Sequence, residues 1–310
     1  MKEVRAIRPY TQHNGSNFKC HPFEEWVNNG GKSSPALYPI RLLHRIAHKL
    51  ELPTFDILVS QAKLRFVESC TINFDCWPDY CWSETIPMIW DCWPSMYDRT
   101  EKWIKKHNVK VAIFTSSITA ETMRQRCPKI KILHITEGID TSIYHAGDLL
   151  VRRSIDFLEY GSKQRNLFNK PLEGINHVNS TSIITQMMTW NDLLNTLGDA
   201  KVTLALPRCD VDKETTGGIE TLTQRFWEGM LSRSVLVGRA PKELIDLIGY
   251  NPVITLDTKK AEKQIKDIID HIGDYQSFVN KNREIALAMA PWSIRIKMIM
   301  NWLTKLGYKI

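Results

Sequence analysis

The sequence has no run approaching the ~18 consecutive apolar residues that a membrane-spanning helix needs. Its first residues, MKEVRAIRPYTQ, lack the apolar core of a secretory leader. There is no CxxC pair. The seven cysteines are odd in number, and no histidine follows Cys70, Cys76, Cys81 and Cys92 at zinc spacing. This pattern argues against a disulfide framework or a zinc site, and for buried free thiols in a reducing cytoplasm. Repeats and low-complexity tracts are absent. So is any dense Lys/Arg block or nucleic-acid motif, although the formal net charge is +7. With its cations spread out, the chain is expected to meet phosphorylated small molecules, and an acidic membrane by peripheral contact, rather than nucleic acid.

What is present suits a globular α/β protein. A chain of 310 residues, 43% hydrophobic and 24% charged, is long enough for two domains. Short apolar runs predict strands at 4–7, 55–60, 86–90, 109–115, 130–135, 155–160, 201–206, 235–238 and 253–256. Between them, amphipathic or helix-forming stretches predict helices at 36–50, 99–107, 119–126, 190–197, 241–248, 261–272 and 291–306. Residues 62–67 also read as helical. The alternation predicts two Rossmann-like parallel sheets.

Several stretches carry candidate chemistry in the first half. Residues 77–97 are rich in tryptophan and tyrosine, which serve as core or as stacking faces for sugars and apolar chains. Asp91 stands just past a predicted strand end, where open α/β sheets place functional groups. It reads either as a polar catalytic or acceptor-binding residue or as a helix cap. Glu84 is a weaker candidate of the same kind. Gly30, Gly31 and Lys32 form a loop of phosphate-binding composition without the Walker spacing.

The second half is organised around residues 217–238, GGIETLTQRFWEGMLSRSVLVG. Gly217 and Gly218 form a loop that can approach a ligand closely. A helix is expected to start near Thr221 or Thr223, with a threonine as its cap. Its free N–H groups and dipole favour an anion there, and Arg225 adds a bidentate phosphate contact. Glu228, about two turns in, offers a carboxylate matched to the two hydroxyls of a ribose. Upstream, Gly161 follows the strand at 155–160 and lets the chain approach a diphosphate. Lys163 and Arg165 supply the neutralising charge.

Glu220 and Glu228, with seven residues between them, resemble the two-glutamate motif of GT-B nucleotide-sugar glycosyltransferases. The run Arg225–Phe226–Trp227–Glu228 is similar to the variant in the branch with spore-coat-type enzymes. Residues 136–140, TEGID, resemble the turn that closes that family's N-terminal domain. Thr221 and Leu222 stand where the family has a glycine and an aromatic. The resemblance implies a GT-B fold of two Rossmann-like domains facing across a cleft. It implies an acceptor domain at 1–150, a donor domain at 151–290, and a last helix at 291–310 returning to the first domain. It further implies transfer of a sugar from a nucleoside-diphosphate sugar to a glycan or lipid-linked acceptor in bacterial surface polysaccharide synthesis. Retention of configuration is expected, with no metal and no cofactor. Glu228 would hold the ribose, Lys163, Arg165 and Arg225 the diphosphate, and Glu220 would lie near the sugar. The alternative expectation is an inactive nucleotide-sugar-binding scaffold or sensor.

Overall fold

The structure, a computed structural model, describes residues 1–9, 20–35, 61–161, 166–179 and 190–310. The predicted helix at 36–50, the predicted strand at 55–60, Lys163 and Arg165 lie outside the described residues. The chain divides into two compact units. One comprises Met1–Glu137, Thr215–Ile219 and Trp292–Ile310; the other comprises Gly138–Glu214 and Glu220–Pro291. The expected boundary at 150 therefore moves to 137/138. Residues after it belong with the second unit because the Ile139 amide donates to Ala290 and the Tyr144 hydroxyl donates to Glu228.

The first unit begins with β1 (Val4–Ile7), α1 (Cys20–Asn28), β2 (Lys32–Ser34) and β3 (Ala62–Glu68). It continues with α2 (Ile72–Cys76), β4 (Glu84–Trp90), α3 (Tyr97–Lys106), β5 (Val111–Phe114), α4 (Ser117–Arg126) and β6 (Lys131–His134). Its strands pair in the order β2-β1-β3-β4-β5-β6, all parallel. β3 corrects the helical reading of 62–67. It is a central strand in register with β4 from Ala62↔Glu84 to Glu68↔Trp90. Its two cations mimic a solvated helix face in the sequence, yet both are buried. Arg65 forms an ion pair with Asp79, and Lys63 donates to Ser34 Oγ at 2.9 Å and Gln61 Oε1 at 2.8 Å.

The aromatic stretch is mostly core. Trp90 lies between Phe66 and Trp292, with centroids at 6.3 and 5.8 Å, and Tyr80 packs edge-on against Trp103. Of its aromatic residues, only Trp82 is substantially exposed. Glu84 is buried, 2.6 Å from Lys2 Nζ, and also accepts from the Tyr308 hydroxyl. That spends it on structure. Lys32 of the glycine loop begins β2 and pairs with Glu3. Six of the seven cysteines are buried.

The second unit contains β7 (Ile155–Leu158), β8 (His177–Val178), α5 (Trp190–Asp199), β9 (Ala200–Ala205), α6 (Arg208–Val211) and α7 (Lys213–Thr216). There follow α8 (Gln224–Leu231), β10 (Val235–Gly238), α9 (Lys242–Ile248), β11 (Val253–Thr255), α10 (Ala261–Asp270) and α11 (Gln276–Met289). α7 ends in the stretch that belongs to the first unit. The strands pair in the order β11-β10-β9-β7-β8, all parallel. Chain order reverses across the β7–β9 pair, so the topological switch point lies beyond the ends of those two strands. That is the place where open α/β sheets bind ligands.

The last helix, α12 (Trp292–Lys305), belongs to the first unit. Trp292, Ile296, Ile299 and Leu303 join Val4, Ala6, Trp26, Leu64 and Trp90 in one core. No helix among the described residues is long and apolar enough to cross a membrane.

Candidate functional site

The chain leaves β7 at Leu158 and passes through Glu159, Tyr160 and Gly161. Glu159 is fully buried. It accepts the Leu167 amide at 2.5 Å and contacts His177 Nε2 at 2.9 Å. His177 Nδ1 accepts the Leu172 amide at 2.9 Å, so the ring proton sits on Nε2 and is donated to Glu159. The pair thus ties residues 167–177 to the end of β7. Gly161 has φ of 108°, a conformation open to glycine and strained for other residues.

Tyr160 is the centre of the cluster. Its hydroxyl donates to Glu228 Oε2 at 2.5 Å, and its carbonyl accepts from Arg225 Nη1 at 2.6 Å. The Arg225 guanidinium also lies over the Tyr160 ring, 4.0 Å from its centroid. The Tyr144 hydroxyl donates to Glu228 Oε1 at 3.3 Å. Burial, and then the Glu228 charge, push the Tyr144 phenol well above its ordinary value, so it stays a donor. Glu228 is 8% exposed. A small open pocket is lined by Tyr160, Leu204, Leu206, Val211 and Arg225. It lies beyond the C-terminal ends of β7 and β9, at the switch point.

α8 carries Arg225 and Glu228 toward this cluster because its other side is apolar. Phe226, Trp227, Met230 and Leu231 are all fully buried, each worth roughly 1.5–3 kcal/mol when removed from water. Gly229 sets the approach to β10: a Cβ there would stand 2.2 Å from Leu236 Cδ2. Thr223 takes the N-cap position, but its hydroxyl makes no capping bond, contrary to the expected threonine cap.

Glu220 belongs to a second cluster. It pairs with Arg239 and accepts the Lys242 amide at 2.5 Å, capping the start of α9. Arg239 makes a two-pronged contact with Asp210, 2.7 Å on each side, and these bonds push its pKa up. Nearby, Glu243 Oε2 accepts the Leu222 amide at 2.8 Å. The chain does contain one Asp-x-Asp triplet, Asp210-Val211-Asp212. Asp210 is spent on Arg239, and Asp212 contacts Arg208 at 3.3 Å. Among the described residues no group of three His, Cys, Asp or Glu is placed to hold a metal.

The remaining candidates sit in the first unit. Gly217 and Gly218 lie in the stretch Thr215–Ile219, both with positive φ. A Cβ on Gly217 would meet Pro94 Cγ at 2.7 Å. Asp91 is exposed at the end of β4 with φ of 50°, unusual for a residue other than glycine. The structure thus brings Gly161, Arg225 and Glu228 into one cluster and puts Glu220 in another. Sequence reasoning missed Tyr144, Tyr160 and Arg239. The one available signal was Tyr160, an aromatic directly before the glycine that ends the strand.

Solved structures share this arrangement of sheets. HepE from Anabaena in complex with UDP-glucose matches with a TM-score of 0.62 at 8% identity, over 98% of this chain and 100% of that one. Sucrose-phosphate synthase from Thermosynechococcus elongatus matches with a TM-score of 0.61 at 9% identity, over 99% of each chain. The fold is GT-B. TarM matches this GT-B chain with a TM-score of 0.53 at 10% identity, over 85% of this chain and 57% of TarM. No family model matches, and no curated protein matches by sequence.

Proposed function

We propose that this chain is a glycosyltransferase that moves a sugar from a nucleoside-diphosphate sugar to a glycan or lipid-linked acceptor. The observation that carries the reading is the cavity at the β7–β9 switch point, with the Arg225 guanidinium in its wall and Glu228 one turn further along the same helix. The GT-B fold, shared with a protein crystallised with UDP-glucose, supports it. Glu228 binds the ribose hydroxyls. Arg225, Lys163 and Arg165 neutralise the diphosphate, with Gly161 giving it close access. Glu220 has given two acceptor positions to Arg239 and Lys242, and keeps the others for a sugar hydroxyl. Gly218 and Asp91 are proposed for loop approach and acceptor binding.

The chemistry follows from charge. The bond between the anomeric carbon and the diphosphate oxygen breaks, and its electron pair leaves with the diphosphate. The acceptor oxygen bonds to that carbon, and its proton passes to an oxygen of the departing diphosphate. Fixed guanidinium, ammonium and helix N–H groups stabilise the departing anion. The reading places the protein in the cytoplasm, acting on bacterial surface polysaccharide intermediates with retention of configuration.

The test is a thermal-shift and product-release screen against UDP, GDP, CDP and ADP sugars. Stabilisation with release of free nucleotide supports transfer and names the base. No response to any of the four sinks the reading. Glu228→Ala is expected to weaken nucleotide binding about tenfold or more, as for a lost charged hydrogen bond. An unchanged affinity refutes the ribose assignment. A second reading, a binder without turnover, is favoured by the engagement of Glu220 with Arg239. It predicts stabilisation with no release, in the presence of lipid-linked acceptors as well.

A further inference from the structure

Arg225 and Glu228 are three residues apart on α8, a spacing at which opposite charges on a helix ordinarily meet. They form no ion pair with each other. Tyr160 holds both. It takes Arg225 through its ring, at 4.0 Å, and its carbonyl, at 2.6 Å. It takes Glu228 through its hydroxyl, at 2.5 Å. A buried tyrosine packed only as core needs one partner for its hydroxyl. Here ring, carbonyl and hydroxyl are all committed to two side chains of one helix. Tyr144 supports the far side of the carboxylate at 3.3 Å.

We propose that Tyr160 is the positioning residue of the nucleotide site, a spacer that keeps a cationic half at Arg225 and an anionic half at Glu228 from neutralising each other. The inference rests on the nucleotide-sugar reading and adds to it the element that makes both charges available. Tyr160 delivers no proton and touches no reacting atom. Its ring and carbonyl aim the guanidinium at the phosphates, and its hydroxyl orients the carboxylate toward the ribose. Without the ring, Arg225 falls onto Glu228, and both recognition elements are lost together. Without the hydroxyl alone, only the carboxylate loses its orientation.

Two substitutions separate these roles. Dissociation constants are measured for UDP, GDP, CDP and ADP, for the matching nucleosides, and for the 2′-deoxy diphosphates. The proteins are the unaltered chain, Tyr160→Phe, Tyr160→Ala, Arg225→Ala and the Tyr160→Ala/Arg225→Ala double variant. Tyr160→Phe is expected to cut the preference for ribose over 2′-deoxyribose about tenfold, and to leave the diphosphate-over-nucleoside preference unchanged. Tyr160→Ala is expected to lower both preferences. Arg225→Ala added to Tyr160→Ala should then cost little more, the mark of two residues acting as a unit. A uniform loss for every ligand, following the loss in thermal stability, shows a structural tyrosine and overturns the inference alone. So does a Tyr160→Phe variant that keeps the full ribose preference. An unaltered chain that binds none of the four diphosphates overturns the nucleotide-sugar reading and this inference with it.

Discussion

Tyr144 and Glu228 make an acid–base statement that can be measured. Burial and the adjacent carboxylate raise the Tyr144 phenol in the folded chain above its usual value near 10. The folded state therefore holds that proton more tightly than the unfolded state does. Its contribution to stability is complete below pH 10 and declines as the pH rises further, because only the unfolded chain then ionises. Tyr144→Phe removes this dependence. Urea unfolding between pH 9 and 11.5 is expected to show a shallower fall for the variant, by up to about 1.4 kcal/mol per pH unit. Equal slopes would mean that Tyr144 ionises freely when folded. Arg239 makes a different case. Its side chain is 42% exposed, so the pairs with Asp210 and Glu220 are discounted for solvent screening. Arg239→Ala should cost about 1 kcal/mol or less in thermal unfolding. A larger loss would show that the α9 cap depends on the arginine holding Glu220 in place.

At the scale of elements, α8 depends on a missing side chain. Gly229 faces Leu236 of β10 so closely that Gly229→Ala must displace the buried Leu236 side chain. We expect it to destabilise the protein by about 1–3 kcal/mol. A rise in melting temperature would show that helix propensity outweighs the contact. The two parallel sheets were readable from the alternation of β-branched runs with amphipathic ones, because period and length are local signals. Among the elements that escaped, two are instructive. β3 escaped because Lys63 and Arg65 look solvated until their partners at Ser34 and Asp79 are known. α11 did so because its buried face carries Asn282 and Ala286 in place of large apolar residues, with Asn282 bonded to Tyr250 at 2.7 Å and to the Pro252 carbonyl at 3.1 Å. In the site, Arg225 and Glu228 were readable because they share one short helix. Tyr160 and Tyr144 stand 68 and 84 residues from Glu228, and no local pattern links such positions.

At the scale of the molecule, each unit owns its core. The first relies on the end of the chain: Trp292, Ile296, Ile299, Met300 and Leu303 are part of the cluster around β1, β3 and β4. The second is built on Phe226, Trp227, Leu236 and their neighbours. Truncation after residue 291 is expected to unfold the first unit and leave β7 to β11 protected. Amide hydrogen exchange followed by mass spectrometry reads this directly, since the two units contribute different peptides. Uniform loss of protection would mean that the second unit has no stability of its own.

The five residues Thr215–Ile219 give the molecule an unusual heredity. They belong to the first unit, while the chain on either side belongs to the second. A recombination event that exchanged residues 138–291 between two such genes would carry along a strip whose packing partner, Pro94 against Gly217, stayed behind. The second unit is therefore not a free cassette. Viable hybrids should be those whose donors match at Gly217 and Pro94, and in those genes the two positions should be inherited as a pair.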